Sequence, residues 1–171
     1  MKENKILTQI EQRELFYHKA LGRQVTFKNQ PDSNYSANGG RTLVDMDYGG
    51  RTWSSSKWIG VLDQDLDVVI DLEENSKVSQ VKLSCISDNA SGIYFPLNIE
   101  VLASTDGKSF RSIQKWDPNK DSKKKQQADP AIRKFSLSFE PTECRYIQLK
   151  AECLTLDHMG VFIFADEIIV L

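Results

Sequence analysis

The chain has 171 residues, 40% of them hydrophobic, which is the size expected of one domain with one buried core. Its 22 basic and 24 acidic residues leave a formal net charge of -2, which excludes a long-range field that would recruit nucleic acid or an anionic membrane. No apolar run approaches the roughly 18 residues of a spanning helix, so no membrane span is predicted.

Residues 1–16 are polar with sparse apolar positions, and we interpret them as a linker or an N-terminal extension. Met1 to Lys5 lacks the apolar region of a signal peptide, and the compartment cannot be read from this end of the chain. Residues 17–171 are predicted to form the folded domain. Strand-like alternation begins near Val25, and Asn29 to Lys57 then form a long irregular segment of the kind that is usually functional or organised by a metal.

Apolar and polar residues alternate with a period of two in several later segments, which is the pattern of half-buried strands. The segments are Asp67–Leu72, Gln80–Cys85, Leu97–Ala103, Lys134–Phe139 and Arg145–Leu154. The closing run, Val161 to Val170, is almost continuously apolar, so we expect a central strand that is covered on both faces. Two packed antiparallel sheets are therefore predicted.

The segment from Leu97 to Phe110 is the clearest hairpin signal. Leu97, Ile99 and their alternate neighbours are predicted to face the core, and Asp106-Gly107 is predicted to turn the chain because Gly tolerates positive φ. The charged stretch from Asp117 to Lys125 has no periodicity, and we interpret it as a solvated loop rather than a nucleic-acid contact.

The residues expected of an enzyme active site are largely missing. The chain has only two histidines, His18 and His158, and it lacks both a nucleophile elbow and a phosphate-binding glycine loop. Neighbouring acids such as Asp166 and Glu167 point to opposite faces of a strand, so they do not form a glycosidase pair. The three cysteines show no metal-binding spacing and are predicted to be buried free thiols. We predict that the chain is not an enzyme.

Several phrases, taken in order, resemble the discoidin family, also called the coagulation factor type C domain, whose bacterial members include family 32 carbohydrate-binding modules. They are Thr42-Leu43-Val44-Asp45, Trp58-Ile59-Gly60, Asp67 to Leu72, Ile99 to Phe110, Arg145 to Ala151 and Asp166-Glu167-Ile168. The resemblance implies an all-β jelly-roll sandwich of about eight antiparallel strands, like that of galactose-binding domains, with a noncatalytic binding role for its loops. It also matches Trp58 to a core residue of the family.

A narrower resemblance concerns the parent protein. Tyr17 to Gly22, Ile93 to Pro96 and Phe162 to Ile168 are similar to the discoidin modules of Bacteroides-type β-N-acetylhexosaminidases. This implies an accessory module of a secreted, periplasmic or cell-surface glycoside hydrolase, which holds a galactose or N-acetylhexosamine glycan near the catalytic domain. Two alternatives stay open: a module that docks on its catalytic domain without binding sugar, and a discoidin domain that binds protein or lipid.

Aromatic side chains on loops are the expected sugar contacts, because the apolar face of a pyranose stacks on a ring. The candidates are Trp53, Tyr94, His158 and Phe162, with Phe95 beside them. Each has another interpretation: Trp53 as a loop anchor, Tyr94 as packing at a strand entrance, and His158 as a surface residue bonded to Asp157.

Polar partners for sugar hydroxyls complete the candidate set. Asp88, Asn89 and Arg41 are the candidates, although no Arg stands beside Asn89 as it does in galactose-binding relatives. The resemblance also implies a structural calcium ion held by Asp45, Asp47 and Glu167, since hard oxygen ligands suit that ion. Met46 replaces the usual Gly there, and the alternative is that these carboxylates bond loop amides or Arg side chains.

Overall fold

The computed structural model describes residues 17–116, 118 and 129–171. The strands are β1 (Gln24–Phe27), β2 (Ile59–Leu62), β3 (Leu66–Ser87), β4 (Ile99–Ser104), β5 (Arg111–Trp116), β6 (Ala131–Ala151) and β7 (Phe162–Val170), and the 3-10 helices are Ser33–Tyr35, Gly39–Val44 and Asn89–Ser91. The predicted linker, residues 1–16, and the charged insertion apart from Pro118 lie outside the described residues.

The strands form an antiparallel sandwich, so the predicted all-β class is confirmed. Their hydrogen-bonded order is β2-β7-β3-β6-β4-β5, and β1 pairs with β3. The described part of the chain holds seven strands, where about eight were expected. The difference arises because alternating segments that we predicted as separate strands are continuous in β3 and in β6.

Strands β3 and β6 belong to both layers of the sandwich. The beginning of β3 pairs with β1 and with the end of β6, whereas the end of β3 pairs with β7 and with the beginning of β6. Register shifts interrupt the β3–β6 pairing after Asp71 and after Val78. Such bulges bend a strand and increase its twist, so one pair of strands can turn from the first layer into the second.

The core follows the predicted alternation closely. Side chains such as Val68, Ile70 and Leu149 are fully buried, and residues 163–170 of β7 are buried between β2 and β3. Leu97 is an exception, with 44% of its surface exposed, because β4 begins two residues later. The prediction that Leu97 faces the core is therefore wrong.

The β4–β5 hairpin has the predicted turn, with Gly107 at a φ of 70°. Cys85 and Cys144 are buried free thiols, as predicted, while Cys153 is half-buried. Among the described residues, no helix has the length and apolar composition needed to cross a bilayer.

Candidate functional site

Three loops meet at one end of the sandwich, which we call the loop end. They are the β1–β2 loop (residues 28–58), the β3–β4 loop (88–98) and the β6–β7 loop (152–161). The Trp53 indole nitrogen donates a hydrogen bond to Asp88 Oδ2 at 2.9 Å and so joins the first two loops. The Tyr94 amide donates to the Phe162 carbonyl at 3.0 Å, where the second loop meets the start of β7.

An aromatic cluster of Tyr35, Trp53, Phe162 and Phe164 forms the base of the loop end. The Tyr35 ring lies 6.0 Å from Trp53, 5.3 Å from Phe162 and 4.9 Å from Phe164, in each case edge to face. Phe162 and Phe164 lie two residues apart on β7 and therefore share a face of the sheet. Phe164 is buried and the other three rings are half-buried, so the cluster is anchored in the core and reaches the surface.

The Asp88 carboxylate fixes the edge of the aromatic cluster. Its Oδ2 accepts hydrogen bonds from Trp53 Nε1 and, at 3.0 Å, from the Ser91 hydroxyl. The Asp88 amide and carbonyl also pair with Ile93, which closes the turn between them. Asp88 Oδ1 accepts no hydrogen bond from the part of the chain that the structure describes, so this half-buried carboxylate keeps a free acceptor at the surface.

Asn89 and Tyr94 lie on the same loop as Asp88. The Asn89 backbone amide donates to Asp129 Oδ2 at 2.8 Å, and Asp129 Oδ1 accepts from the Ser87 hydroxyl at 3.1 Å. The Asn89 side chain is exposed and the Tyr94 ring is half-buried. Neither side chain forms a hydrogen bond within residues 17–116, 118 and 129–171, so both retain groups that can bind a ligand.

His158 is exposed at the tip of the β6–β7 loop. The two residues after it lie against the β3–β4 loop, because a Cβ built on Gly92 would be 3.1 Å from Met159 Cε and from the Gly160 carbonyl oxygen. His158 therefore borders the same surface. Its ring makes no hydrogen bond to Asp157 or to any other described residue, so the interpretation of a surface histidine bonded to Asp157 has no support here.

The predicted sugar contacts are thus mostly brought together. Trp53 contacts Asp88, Tyr94 contacts Phe162, and the Tyr35 ring contacts both Trp53 and Phe162. Asn89 follows Asp88 in the chain, and His158 lies at the border of the same surface. Arg41 is exposed on the Gly39–Val44 helix and shares no hydrogen bond, ion pair or ring contact with this group among the described residues.

Two of the remaining predictions concern packing. Trp58 is 1% exposed in a core cluster with Phe164, which confirms its predicted core position. Phe95 is half-buried and packs against the main core, with its ring 5.7 Å from that of Phe135.

Sequence reasoning missed two residues of the loop end, Tyr35 and Asp129. Tyr35 could have been found, since it is the one aromatic residue between Asn29 and Asp47 in a loop rich in Asn, Pro and Gly. Asp129 follows the charged insertion and carries no local signal. Only the folded chain brings its carboxylate to Ser87 and Asn89.

The predicted calcium ligands lie where the β1–β2 loop meets β7. Glu167 Oε2 accepts a hydrogen bond of 2.6 Å from the Met46 amide, and His18 Nε2 lies 3.3 Å from Glu167 Oε1. The Val170 amide donates to His18 Nδ1 at 3.5 Å, so a neutral ring carries its proton on Nε2, facing Glu167. Nε2 and Oε1 are both buried, and neither has a hydrogen-bond partner among the described residues.

The two remaining carboxylates of that set have other partners as well. Asp45 Oδ1 accepts from the Asp47 amide at 2.9 Å, and the Asp47 carboxylate pairs with Lys57. No three His, Cys, Asp or Glu side chains in the described ranges are grouped so that they could hold a metal ion. One oxygen each of Asp45, Asp47 and Glu167 is therefore occupied by a protein group, and the calcium site stays a prediction.

Asp166, next to Glu167, holds the same loop from the other side of β7. Its Oδ2 accepts a 2.8 Å hydrogen bond from the Gly49 amide, and the residue is 1% exposed. Burial raises the pKa of Asp166 to about 6, and it also raises the pKa of Glu167. These carboxylates serve the structure, since both bind backbone amides in the interior.

Known proteins with this fold share its topology at low sequence identity. The chitosan-binding module 1 of a chitosanase/glucanase from Paenibacillus sp. IK-5 is 12% identical, with a TM-score of 0.58 over 91% of this chain and 99% of that one. The lectin domain of lectinolysin, complexed with Lewis B antigen, is 15% identical, with a TM-score of 0.59 over 91% and 96%. CpGH89CBM32-5 from Clostridium perfringens, in complex with GalNAc-β-1,3-galactose, is 14% identical, with a TM-score of 0.52 over 86% and 94%.

The sequence itself carries the family assignment. No curated protein matches the chain. A profile of the F5/8 type C domain matches residues 24–154, which extend from β1 through the end of β6 and include the Trp53–Asp88 contact. The chain therefore belongs to the F5/8 type C, or discoidin, domain family.

Proposed function

We propose that this domain is a noncatalytic carbohydrate-binding module whose ligand binds at the loop end. One observation carries the proposal: a half-buried aromatic surface is bordered by polar groups that still have free hydrogen-bonding capacity. Trp53 and Phe162 provide the apolar part, and Asp88 Oδ1, the Asn89 side chain and the Tyr94 hydroxyl provide the polar part. Sugars need this combination because each ring has an apolar face and a rim of hydroxyls.

The site is largely formed before a ligand arrives. Trp53 is held by its hydrogen bond to Asp88 and by edge contacts with Tyr35 and with Phe164, whose centroid lies 6.1 Å away. A ring fixed in this way loses little side-chain entropy when a sugar stacks on it. In the proposed complex, the pyranose lies on the exposed part of Trp53, and Asp88 Oδ1 accepts a hydrogen bond from a sugar hydroxyl.

The ligand we propose is a galactose or N-acetylhexosamine glycan, and the parent protein a secreted glycoside hydrolase of the hexosaminidase type. Support comes from the resemblance to modules of that enzyme class, and from fold relatives that include a chitosan-binding module and a module complexed with GalNAc-β-1,3-galactose. Tethering raises the effective concentration of substrate near a catalytic domain, so weak affinity suffices. The module is proposed to act outside the cytoplasm, in the secreted, periplasmic or cell-surface form of that enzyme.

A glycan array of the 171-residue chain, with and without calcium, tests this proposal. We expect binding to galactose or N-acetylhexosamine ligands that weakens by roughly tenfold or more in Trp53→Ala, the loss expected when a stacked aromatic is removed. His158→Ala is a second variant at an exposed position, so it tests the surface without disturbing the core. Tyr17→Ala is the matched control, since Tyr17 is an aromatic that is 68% exposed and outside the loop end.

Failure of the array would favour a different function. Leu62 and Met159 are exposed, and both lie close to the β6–β7 loop, with Leu62 Cδ1 2.9 Å from a Cβ built on Gly160. These apolar side chains favour the alternative in which the domain packs on another protein and binds no sugar. A silent array, or binding that survives both Trp53→Ala and His158→Ala, would contradict the saccharide site.

A further inference from the structure

A cavity lies at the tip of the β4–β5 hairpin, away from the loop end. It has a volume of about 250 Å³ and is lined by Ser104, Ser109, Phe110, Arg111 and Glu143, among others. Ile99, at the other end of β4, pairs with Ala151 just before the β6–β7 loop. The length of β4 therefore separates the cavity from the loop end by roughly 17 Å, at about 3.4 Å per residue.

The wall of this hairpin cavity is rigid. Asp106 Oδ1 accepts hydrogen bonds of 2.8 Å from the amides of Lys108 and Ser109 and from the Ser104 hydroxyl. These hydrogen bonds lower the pKa of Asp106 to about 2, so the carboxylate stays charged and the turn stays closed at any ordinary pH. Because the turn that forms this wall is already ordered, ligand binding does not incur the entropy cost of ordering it.

The hairpin tip is also pressed onto β6. A Cβ built on Gly107 would lie 3.1 Å from Cζ of the Tyr146 ring, so only glycine lets the turn approach this closely. Glu143 precedes Tyr146 on β6 and forms the wall facing the hairpin. Two segments that are distant in sequence are therefore held in a fixed position around the cavity.

The lining has the chemistry of a sugar site. Arg111 and Glu143 are exposed, and neither side chain forms a hydrogen bond or an ion pair with another residue that the structure describes. The guanidinium offers several donors and the carboxylate offers acceptors only. Phe110 adds a half-buried aromatic ring to the same lining. Opposite charges on two walls favour an uncharged ligand that has both donors and acceptors.

We propose that the hairpin cavity is a second binding site, for a single neutral pyranose unit. The volume supports one ring, since it lies below the roughly 300 to 1,000 Å³ of pockets for drug-sized ligands. In the proposed complex, Phe110 contacts the apolar face of the ring, Arg111 donates to its hydroxyl oxygens and Glu143 accepts from its hydroxyl groups. The site uses none of the residues of the loop end and stands independently of the function proposed there.

A titration of the isotope-labelled 171-residue chain with D-galactose and with N-acetyl-D-glucosamine, followed by amide NMR shifts, tests this site. We expect saturable shift changes at Ser104 to Arg111 for at least one of the two sugars. Arg111→Met and Glu143→Gln should each weaken the affinity read at these amides by roughly tenfold. Glu140→Gln is the matched control, because Glu140 is an exposed glutamate on the same strand and outside the cavity.

The variants also distinguish the two sites. Trp53→Ala should weaken the binding that is read at Asp88 to Tyr94 and leave the binding read at the hairpin unchanged. Arg111→Met should weaken the binding at the hairpin and leave that at the loop end unchanged. Dispersed amide shifts elsewhere in each variant show that it folds. Shifts confined to the loop end, no shifts at all, or hairpin shifts that persist in both Arg111→Met and Glu143→Gln would overturn the second site.

Discussion

Asp88 and Asp166 both accept a hydrogen bond from the β1–β2 loop, but they differ in burial and in the group that they hold. Asp88 is half-buried, binds the Trp53 side chain and keeps one oxygen at the surface. Asp166 is 1% exposed and binds the Gly49 backbone amide, which leaves the 45–49 segment fixed over β7. Each carboxylate has one oxygen without a hydrogen-bond partner among the described residues, but that of Asp166 is buried. Burial, rather than residue type, therefore separates a carboxylate that can bind ligand from one that stabilises the fold.

The largest effect on stability is expected near Asp166, at the buried Gly49. In Gly49→Ala, the new Cβ would lie 2.3 Å from Trp58 Nε1 and Cε2, and the buried Trp58 ring has no space to move away. We expect the free energy of unfolding in urea to fall by about 3 kcal/mol. Gly50→Ala is the matched control, since nothing lies within 4 Å of its Cβ, and it should change stability by less than about 0.5 kcal/mol. Equal effects of the two substitutions would contradict the close packing.

A smaller effect on stability is expected from the hydrogen bond between Trp53 and Asp88. Trp53→Phe removes the indole donor and keeps a smaller aromatic ring, so the hydrogen bond to Asp88 is lost together with part of the ring packing. In a double-mutant cycle with Asp88→Ala, we expect a coupling energy of about 1 kcal/mol in the free energy of unfolding. Ser91→Ala removes the other donor to Asp88 Oδ2 and provides a comparison of similar size. A coupling near zero would show that Trp53 is held by ring packing alone.

The pH dependence of stability sharpens the same contrast. Because the folded pKa of Asp166 is raised to about 6, its contribution is fully present below its unfolded pKa near 3.8 and is lost as the pH rises through 6. As the pH falls from 7 to 5, the free energy of unfolding of the native chain should therefore rise by about 1 kcal/mol relative to that of Asp166→Asn. Urea unfolding at several pH values measures this difference.

Two features of that experiment limit its interpretation to Asp166. Glu167, whose pKa is also raised by burial, is present in both proteins, so the difference between them reports Asp166 and its coulombic interaction with Glu167. Asp88→Asn is the matched control, because it alters a carboxylate of the loop end. A pH profile of Asp166→Asn that is parallel to the native one would show that Asp166 is charged throughout this range.

The smallest effect is expected at the surface of the 45–49 segment. Lys57 and Asp47 form an exposed ion pair, so Lys57→Met should change the free energy of unfolding by less than about 0.5 kcal/mol. Since His18 faces Glu167, we also expect calcium chloride to leave the melting temperature unchanged. A rise in melting temperature with calcium that is absent in Asp47→Asn would establish the predicted ion site instead.

Local patterns predicted the parts of the fold that depend on local structure. Period-two alternation placed the core residues of β6, the almost continuous apolar run placed those of β7, and Asp106-Gly107 placed the hairpin. All three features are properties of neighbouring residues. The continuity of β3 could not be predicted in the same way. It depends on bulges between Asp71 and Gln80, which are set by the pairing with β6 rather than by the residues themselves.

The candidate site was predictable to a similar degree. Loop aromatics such as Trp53 could be selected by type, because a sugar requires an exposed ring. The position of Asp129 beside Ser87 could not, since 42 residues separate the two partners. The same is true of His18 and Glu167, whose contact joins the start of the domain to its last strand. Contacts of this kind exist only after the chain has folded.

The presence of β3 and β6 in both layers has a consequence for how the domain unfolds. Neither layer can unfold while the other stays intact, because each layer contains part of β3 and part of β6. Loss of structure should therefore be an all-or-none event with no half-folded species. Assembly should be slow for a domain of this size, since β3 must find a strand that is synthesised some fifty residues later.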